Sequence, residues 1–196
     1  MSATRLPTGT KRAKPPGEVR LIGGEWRRSK LAVANVAGLR PTPDRVRETL
    51  FNWLGQDLSG WRCLDAFAGT GALGLEAASR GATEVTLAER DSVLAQLLRD
   101  NVERLGCQSQ VKVVQGDGLR LLAQAAGHAL DVIFLDPPYN TTLLAQSVPM
   151  AAEALAPGGW LYVESREPQT QLPLGLTVHR ELRAGQVCAQ LLRKAP

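Results

Sequence analysis

The chain has 196 residues, 44% of them hydrophobic, enough for one medium domain with a real core plus a small appendage. No apolar run approaches membrane-spanning length and the N-terminus carries no signal-peptide apolar region, so a cytoplasmic enzyme is the default expectation. The charge is uneven: residues 1–50 hold 11 Lys and Arg against 4 Asp and Glu, whereas residues 51–196 hold 12 against 15. A basic front suits a polyanion, and it equally suits a solubilising tail. Cys63, Cys107 and Cys188 are odd in number and far apart, with no CxxC or His cluster. They read as reduced residues in or near the core, forming neither a disulfide framework nor a zinc site.

In chain order, residues 1–18 mix Thr, Lys, Arg, Pro and Gly without apolar periodicity, which predicts a disordered basic tail. Val19 to Val36 place two short apolar strands around Gly23-Gly24-Glu25-Trp26-Arg27-Arg28-Ser29-Lys30, a β-hairpin with a basic tip. Arg beside an aromatic fits RNA through phosphate contact and base stacking, and Trp26 could also simply pack on the main domain. The segment from Leu39 to Leu54 predicts an amphipathic helix, capped by Thr42 or Asp44 and ending near Gly55. Arg40, Arg45 and Arg47 crowd its first turns, where the helix dipole disfavours cations unless an anion is close by.

From Trp61 the pattern becomes strand, loop, helix, repeated. Trp61 to Phe67 leads into Asp65-Ala-Phe-Ala-Gly69-Thr70-Gly71, a glycine turn that points a helix of about residues 72–80 at whatever lies in the loop. The second strand ends in Glu89, at the usual spacing for an acid that grips ribose hydroxyls. A helix from Asp91 to about Leu105 follows, then a third strand, Val111 to Val114, before Gln115-Gly116-Asp117-Gly118 and a helix of about residues 119–126. The fourth strand, Asp131 to Leu135, stops at Asp136-Pro137-Pro138-Tyr139. Two prolines cannot continue a ladder, so the Asp136 carboxylate projects from the strand's carboxyl edge, where open α/β sheets bind ligands. Tyr139 adds a flat aromatic face beside an acceptor, a pairing suited to a planar base with an amino group. A helix near 141–155 and a Pro157-Gly158-Gly159 turn precede a fifth strand, Trp160 to Glu164. Leu176 to Leu182 and Gln186 to Leu192 close the chain as an antiparallel pair.

Four acids at successive strand ends, Asp65, Glu89, Asp117 and Asp136, make a crevice for hydrogen-bond donors and a cation, unlike a phosphate cradle. This pattern resembles the class I S-adenosylmethionine-dependent methyltransferases. With the Ile22 to Arg27 and Leu39 to Phe51 segments, Tyr162-Val163-Glu164-Ser165 and Ala184-Gly185-Gln186-Val187, the chain is similar to the RsmD family of 16S rRNA guanine-N2 methyltransferases. The long Pro- and Lys-rich tail before Val19 departs from that family.

The resemblance implies a Rossmann-like α/β fold, with a seven-stranded, mostly parallel sheet, a C-terminal antiparallel hairpin, and a small N-terminal β-hairpin and helix. It divides the chain into the tail, an RNA-binding extension over 19–56 and a methyltransferase domain over 57–196. It implies S-adenosylmethionine as cofactor, held by Asp65, Gly69, Thr70, Gly71, Glu89, Asp117, Gly118 and Leu119. Asp136, Pro137 and Tyr139 are the expected catalytic residues, and Trp26, Arg27, Arg28, Lys30, Arg45 and Arg47 the expected RNA contacts. The expected partner is 16S rRNA in the assembled or assembling small ribosomal subunit, met by a monomer without metal or membrane.

Three other readings compete. Adenine-N6 methyltransferases of RNA or DNA use the same Asp-Pro-Pro-Tyr chemistry, although no insertion here could house a DNA target-recognition domain. A nicotinamide oxidoreductase fits the glycine turn but not Asp65 and Asp136. A non-enzymatic RNA-binding assembly factor needs only the hairpin and leaves the strand-end acids unexplained.

Overall fold

The computed structural model describes residues 18–33, 42–139 and 141–196. The expected tail up to Gly17, and Arg40, lie outside these residues. The N-terminal hairpin pairs β1 (Glu18–Arg20) with β2 (Lys30–Ala32), Val19 facing Leu31 in register. Next comes α1 (Asp44–Leu54), with Pro43 rather than Thr42 or Asp44 at its N-cap and no side-chain cap bond. The Thr42 hydroxyl is engaged elsewhere, as described below.

The main sheet contains β3 (Arg62–Asp65), β4 (Glu84–Glu89), β5 (Val111–Gln115), β6 (Leu130–Leu135), β7 (Leu155–Ser165), β8 (Leu176–Ala184) and β9 (Val187–Lys194). Its order is β5-β4-β3-β6-β7-β9-β8, parallel from β5 to β7 and antiparallel at β9 and β8. The order reverses between β3 and β6, so their carboxyl ends open a crevice at the switch point. Pro157-Gly158-Gly159, expected as a turn before the strand, lies inside β7. There a register irregularity between Leu130 and Val132 absorbs the extra residues.

Four helices connect these strands: α2 (Ala72–Ser79), α3 (Ser92–Leu105), α4 (Gly118–Gln124) and α5 (Leu143–Ala154). Asp91 caps α3 by accepting from the Val93 and Leu94 N–H groups, and Gly106, at φ 70°, ends it. One core joins α1, α2 and α3 to the sheet: Leu50 and Phe51 meet Phe134 and Tyr162, with ring centroids 6.2 and 6.3 Å apart in series. A second core on the opposite face gathers α4 and α5 on Ile133, Leu135, Leu161 and Val163.

The N-terminal hairpin is bound to α2 by a polar group sealed inside the first core. Glu76, fully buried, accepts from the Ile22 and Gly23 N–H groups, each at 2.7 Å, and pairs with Arg80 at 2.8 Å. Ser79 accepts from the Glu25 and Trp26 N–H groups through its carbonyl and its hydroxyl respectively. Gly24 sits at φ 73°, and a Cβ there would lie 1.8 Å from the Ser79 carbonyl oxygen, so no side chain fits.

Candidate active site

The glycine loop between β3 and α2 is shaped by Gly71, the α2 N-cap, in the left-handed conformation at φ 78°. Gly69 donates its N–H to Glu89 Oε2 at 2.9 Å, and the Asp91 N–H reaches Glu89 Oε1 at 2.8 Å. Backbone amides thus fix the acid at the end of β4 before any ligand arrives. Asp117 caps α4 through the Leu119 N–H at 2.9 Å.

Asp65 is 1% exposed. Its Oδ2 accepts from the Gly74 N–H at 3.1 Å, while among the described residues Oδ1 meets no donor in good hydrogen-bond geometry. Burial pushes the carboxyl up to about 7; the Gly74 and Phe67 N–H groups oppose the rise and Glu89 adds to it. A buried carboxylate oxygen without a donor is costly and marks a place for a cationic or hydrogen-bonding group.

Asp65, Gly69, Thr70, Glu89, Asp117, Gly118, Asp136, Pro137 and Tyr139 all line one cavity of about 560 Å³. Gly71 and Leu119 flank it, as the N-caps and first turns of α2 and α4 require. The volume and the ring of carboxylate acceptors fit a ligand of nucleoside size that carries hydrogen-bond donors and a positive charge.

The far wall holds a second polar group. Thr42 donates to Asp136 Oδ2 at 3.3 Å, and Glu164 accepts from the Tyr139 hydroxyl at 3.2 Å and the Tyr162 hydroxyl at 3.0 Å. Burial, then the nearby Glu164 and Asp65, hold the Asp136 carboxyl well above its usual range, against the pull of Thr42. Burial likewise raises Glu164, against three hydroxyl donors. The Arg166 guanidinium lies over the Tyr139 ring, 5.5 Å from its centroid.

Thr42, Tyr162, Glu164 and Arg166 were not singled out as site residues from the sequence. A signal for Glu164 was present, since β7 also ends in an acid, a fifth after the four that were read. Thr42 could not be found that way, because it belongs to a different segment from the strands it serves.

The basic residues divide. Arg27, Arg28 and Arg45 are exposed, and among the described residues none of the three forms an ion pair. Lys30 pairs with Glu18 at 2.9 Å across the hairpin, and Trp26 is half-buried against the core. Arg47 corrects the expectation that it contacts RNA. It is fully buried, bonded to Asp44 Oδ1 at 2.6 Å and to the Arg20 carbonyl at 2.9 Å, and lies 4.0 Å from Glu76. The anion that its crowded helix start called for comes from within the protein.

Among the described residues, no group of three or more His, Cys, Asp and Glu could hold a metal ion, and no helix is long and apolar enough to cross a membrane.

Residues 19–193 match the sequence profile of a family described as Conserved hypothetical protein 95. A relative from Escherichia coli K12, described as ribosomal RNA small subunit methyltransferase D, is 42% identical over 186 residues, covering 91% of each chain. The chain belongs to the RsmD family. A Haemophilus influenzae member of the same description is 43% identical, covering 89% of this chain and 93% of its own. The solved structure of Escherichia coli yhhF, described as a methyltransferase, superposes with a TM-score of 0.80 at 43% identity, over 91% of this chain and 99% of its own. For an RsmD-family chain, the seven-stranded order and the strand-end acids are a class I methyltransferase fold with its crevice intact.

Proposed function

We propose that this chain transfers the methyl group of S-adenosylmethionine to the exocyclic N2 of a guanine in 16S rRNA, within the assembled or assembling small ribosomal subunit. The observation that carries the reading is the juxtaposition, in one cavity, of the unpartnered Asp65 oxygen and the Asp136-Pro137-Pro138-Tyr139 turn. The first suits a cationic methyl donor and the second an aromatic amine. The relatives described as ribosomal RNA small subunit methyltransferases support the substrate class. The reading includes a monomeric, cytoplasmic protein whose residues 57–196 carry the chemistry and whose residues 19–56 meet RNA.

When bound, the donor supplies an electrophilic methyl on a sulfonium. Asp65, Gly69, Thr70 and Gly71 hold its methionine part, Glu89 its ribose hydroxyls, and Asp117, Gly118 and Leu119 its adenine. Asp136 and the Pro137 carbonyl each accept one hydrogen of guanine N2, which turns the nitrogen lone pair toward the methyl. Tyr139 stacks on the flipped base. As the N–C bond forms and the S–C bond breaks, N2 becomes strongly acidic and gives its proton to Asp136 or water. Because that methylated nitrogen is so acidic, Asp136 or water suffices and a further base is unnecessary. Orientation within the cavity supplies much of the rate.

Trp26 and Arg27 sit by the C-terminal end of α2, whose N-terminal end forms the cofactor loop, and Lys30 sits by the C-terminal end of α3. Eight residues at 1.5 Å each separate the two ends by about 12 Å. The hairpin therefore grips phosphates some distance from the target base, and Arg45 on α1 sits nearer. Mass-spectrometric mapping of 16S rRNA from a strain lacking the gene tests the reading. Restoring the wild-type gene should return one N2-methylguanine, and Asp136→Ala should not, while still binding the donor. A methyl returned on adenine N6 instead would overturn the guanine reading.

A further inference from the structure

We infer that Glu164 is a positioning residue for this reaction, fixing the Tyr139 ring at the mouth of the cavity while Arg166 covers that ring from outside. The inference rests on the methyl-transfer reading and goes beyond it, because that reading uses Tyr139 without saying what holds the ring.

A tyrosine in a Pro-Pro-Tyr turn has a free χ1 and χ2, and stacking on a mobile ring must first immobilise it, which weakens the hold on the base. Among the described residues, the ring is restrained by a hydrogen bond at its hydroxyl and by a cation over its face. The phenol donates to Glu164 Oε1 at 3.2 Å, and the ring lies under the Arg166 guanidinium. Glu164 is itself held. Its second oxygen accepts from the Tyr162 hydroxyl at 3.0 Å, Tyr162 is fully buried on β7, and Glu164 is 4% exposed. The chain has two tyrosines, and this one carboxylate takes both of their hydroxyls. A carboxylate buried beside Asp136 is retained at a cost, and a role in holding a mobile ring accounts for it. Arg166 is exposed and forms no ion pair among the described residues, and its guanidinium lies 5.5 Å from the Tyr139 ring centroid.

The experiment combines a readout that needs no activity with one that does. In protein labelled with ¹³C on the tyrosine rings, two ring signals are expected, assigned by Tyr139→Phe. Glu164→Ala should shift the Tyr139 signal and average it toward that of a freely rotating ring, and Glu164→Gln, which keeps an accepting oxygen, should do so less. An unchanged Tyr139 signal in both variants would overturn the inference, whatever the enzyme methylates. In single turnover on subunits lacking the methyl group, Glu164→Ala should lower the rate about tenfold with donor affinity unchanged, the effect of one lost hydrogen bond to a charged group. Glu164→Gln should recover part of that loss, and Glu164→Ala with Tyr139→Phe should be no slower than the worse single variant. Additive losses, or a parallel loss of donor binding, would mean that Glu164 only supports the wall, and the inference would fail. Wild-type protein that leaves guanine unmethylated would overturn the proposed function, while the ring signals would still decide the role of Glu164.

Discussion

Thr42, two residues ahead of α1, donates its hydroxyl to Oδ2 of Asp136 across 3.3 Å. This bond joins the N-terminal segment to the carboxylate of the Asp136-Pro137-Pro138-Tyr139 turn. Among the described residues it also pulls the Asp136 carboxyl back toward the ordinary range, against burial and the neighbouring acids. Thr42→Val keeps the volume and removes the donor, so the Asp136 carboxyl should rise further. Single-turnover rate should fall by about three- to tenfold, the scale of one hydrogen bond, with donor affinity by calorimetry unchanged. A rate equal to wild type would separate Thr42 from the chemistry.

Glu89→Ala should weaken S-adenosylmethionine by about 1.5–3 kcal/mol, the scale of charge-assisted hydrogen bonds. Part of the loss comes from the Gly69 and Asp91 N–H groups that Glu89 holds in the free protein. Calorimetry measures it, and an unchanged dissociation constant would remove Glu89 from the site.

Asp65 gives a pH dependence with a definite sign. Its carboxyl is raised from 3.8 to about 7, chiefly by burial. The folded value lies above the unfolded one, so its contribution to stability is complete below about pH 4 and is lost as pH rises to about 7, on the order of a few kcal/mol. A cationic donor selects the ionised form, so affinity should climb over the same interval and level off above it. Below pH 7, binding should release a proton, seen as a calorimetric heat that changes with buffer. Asp136 and Glu164 are raised too, so Asp65→Asn isolates the effect. If that variant keeps the wild-type slopes, the proton belongs to another carboxyl.

Arg27 and Arg28 should behave oppositely to Arg47. Replacing Arg27 and Arg28 together by Ala should weaken RNA or subunit binding and flatten its salt dependence by about two phosphate contacts, with donor affinity and thermal stability near wild type. Arg47→Ala should instead cost about 3–5 kcal/mol of stability, because it leaves Glu76 buried with one cation fewer and the Arg20 carbonyl without its donor. Binding across a salt series, beside thermal unfolding, checks both. An identical salt slope for the double variant would send the search for the RNA surface elsewhere.

The parts of the fold set by local pattern were legible in the chain itself. Val132 to Leu135 read as a fully buried strand, Asp91 starts α3 with its cap chemistry, and the acids at the carboxyl ends of β3 to β6 mark the crevice. Arg47 was misread because nothing near it in sequence except Asp44 signals burial. Its other partners, Arg20 and Glu76, arrive through tertiary packing. Pro157 to Gly159 looked like a turn because glycine and proline usually break strands, and the pairing of Leu130 with Leu155 overrode that preference. The Glu164 grip on two phenols was invisible, since it depends on Tyr139 folding back over β7.

Glu76 also bears on the order of events during synthesis. Residues 18–33 leave the ribosome before α2, because the carboxylate that receives the Ile22 and Gly23 amides, and the serine that receives Glu25 and Trp26, come more than fifty residues later. The hairpin therefore has nowhere to dock until α2 has emerged, and α2 in turn cannot enclose Glu76 without the hairpin. The two segments should become protected from hydrogen exchange together, in a single late step, rather than from the N-terminus onward.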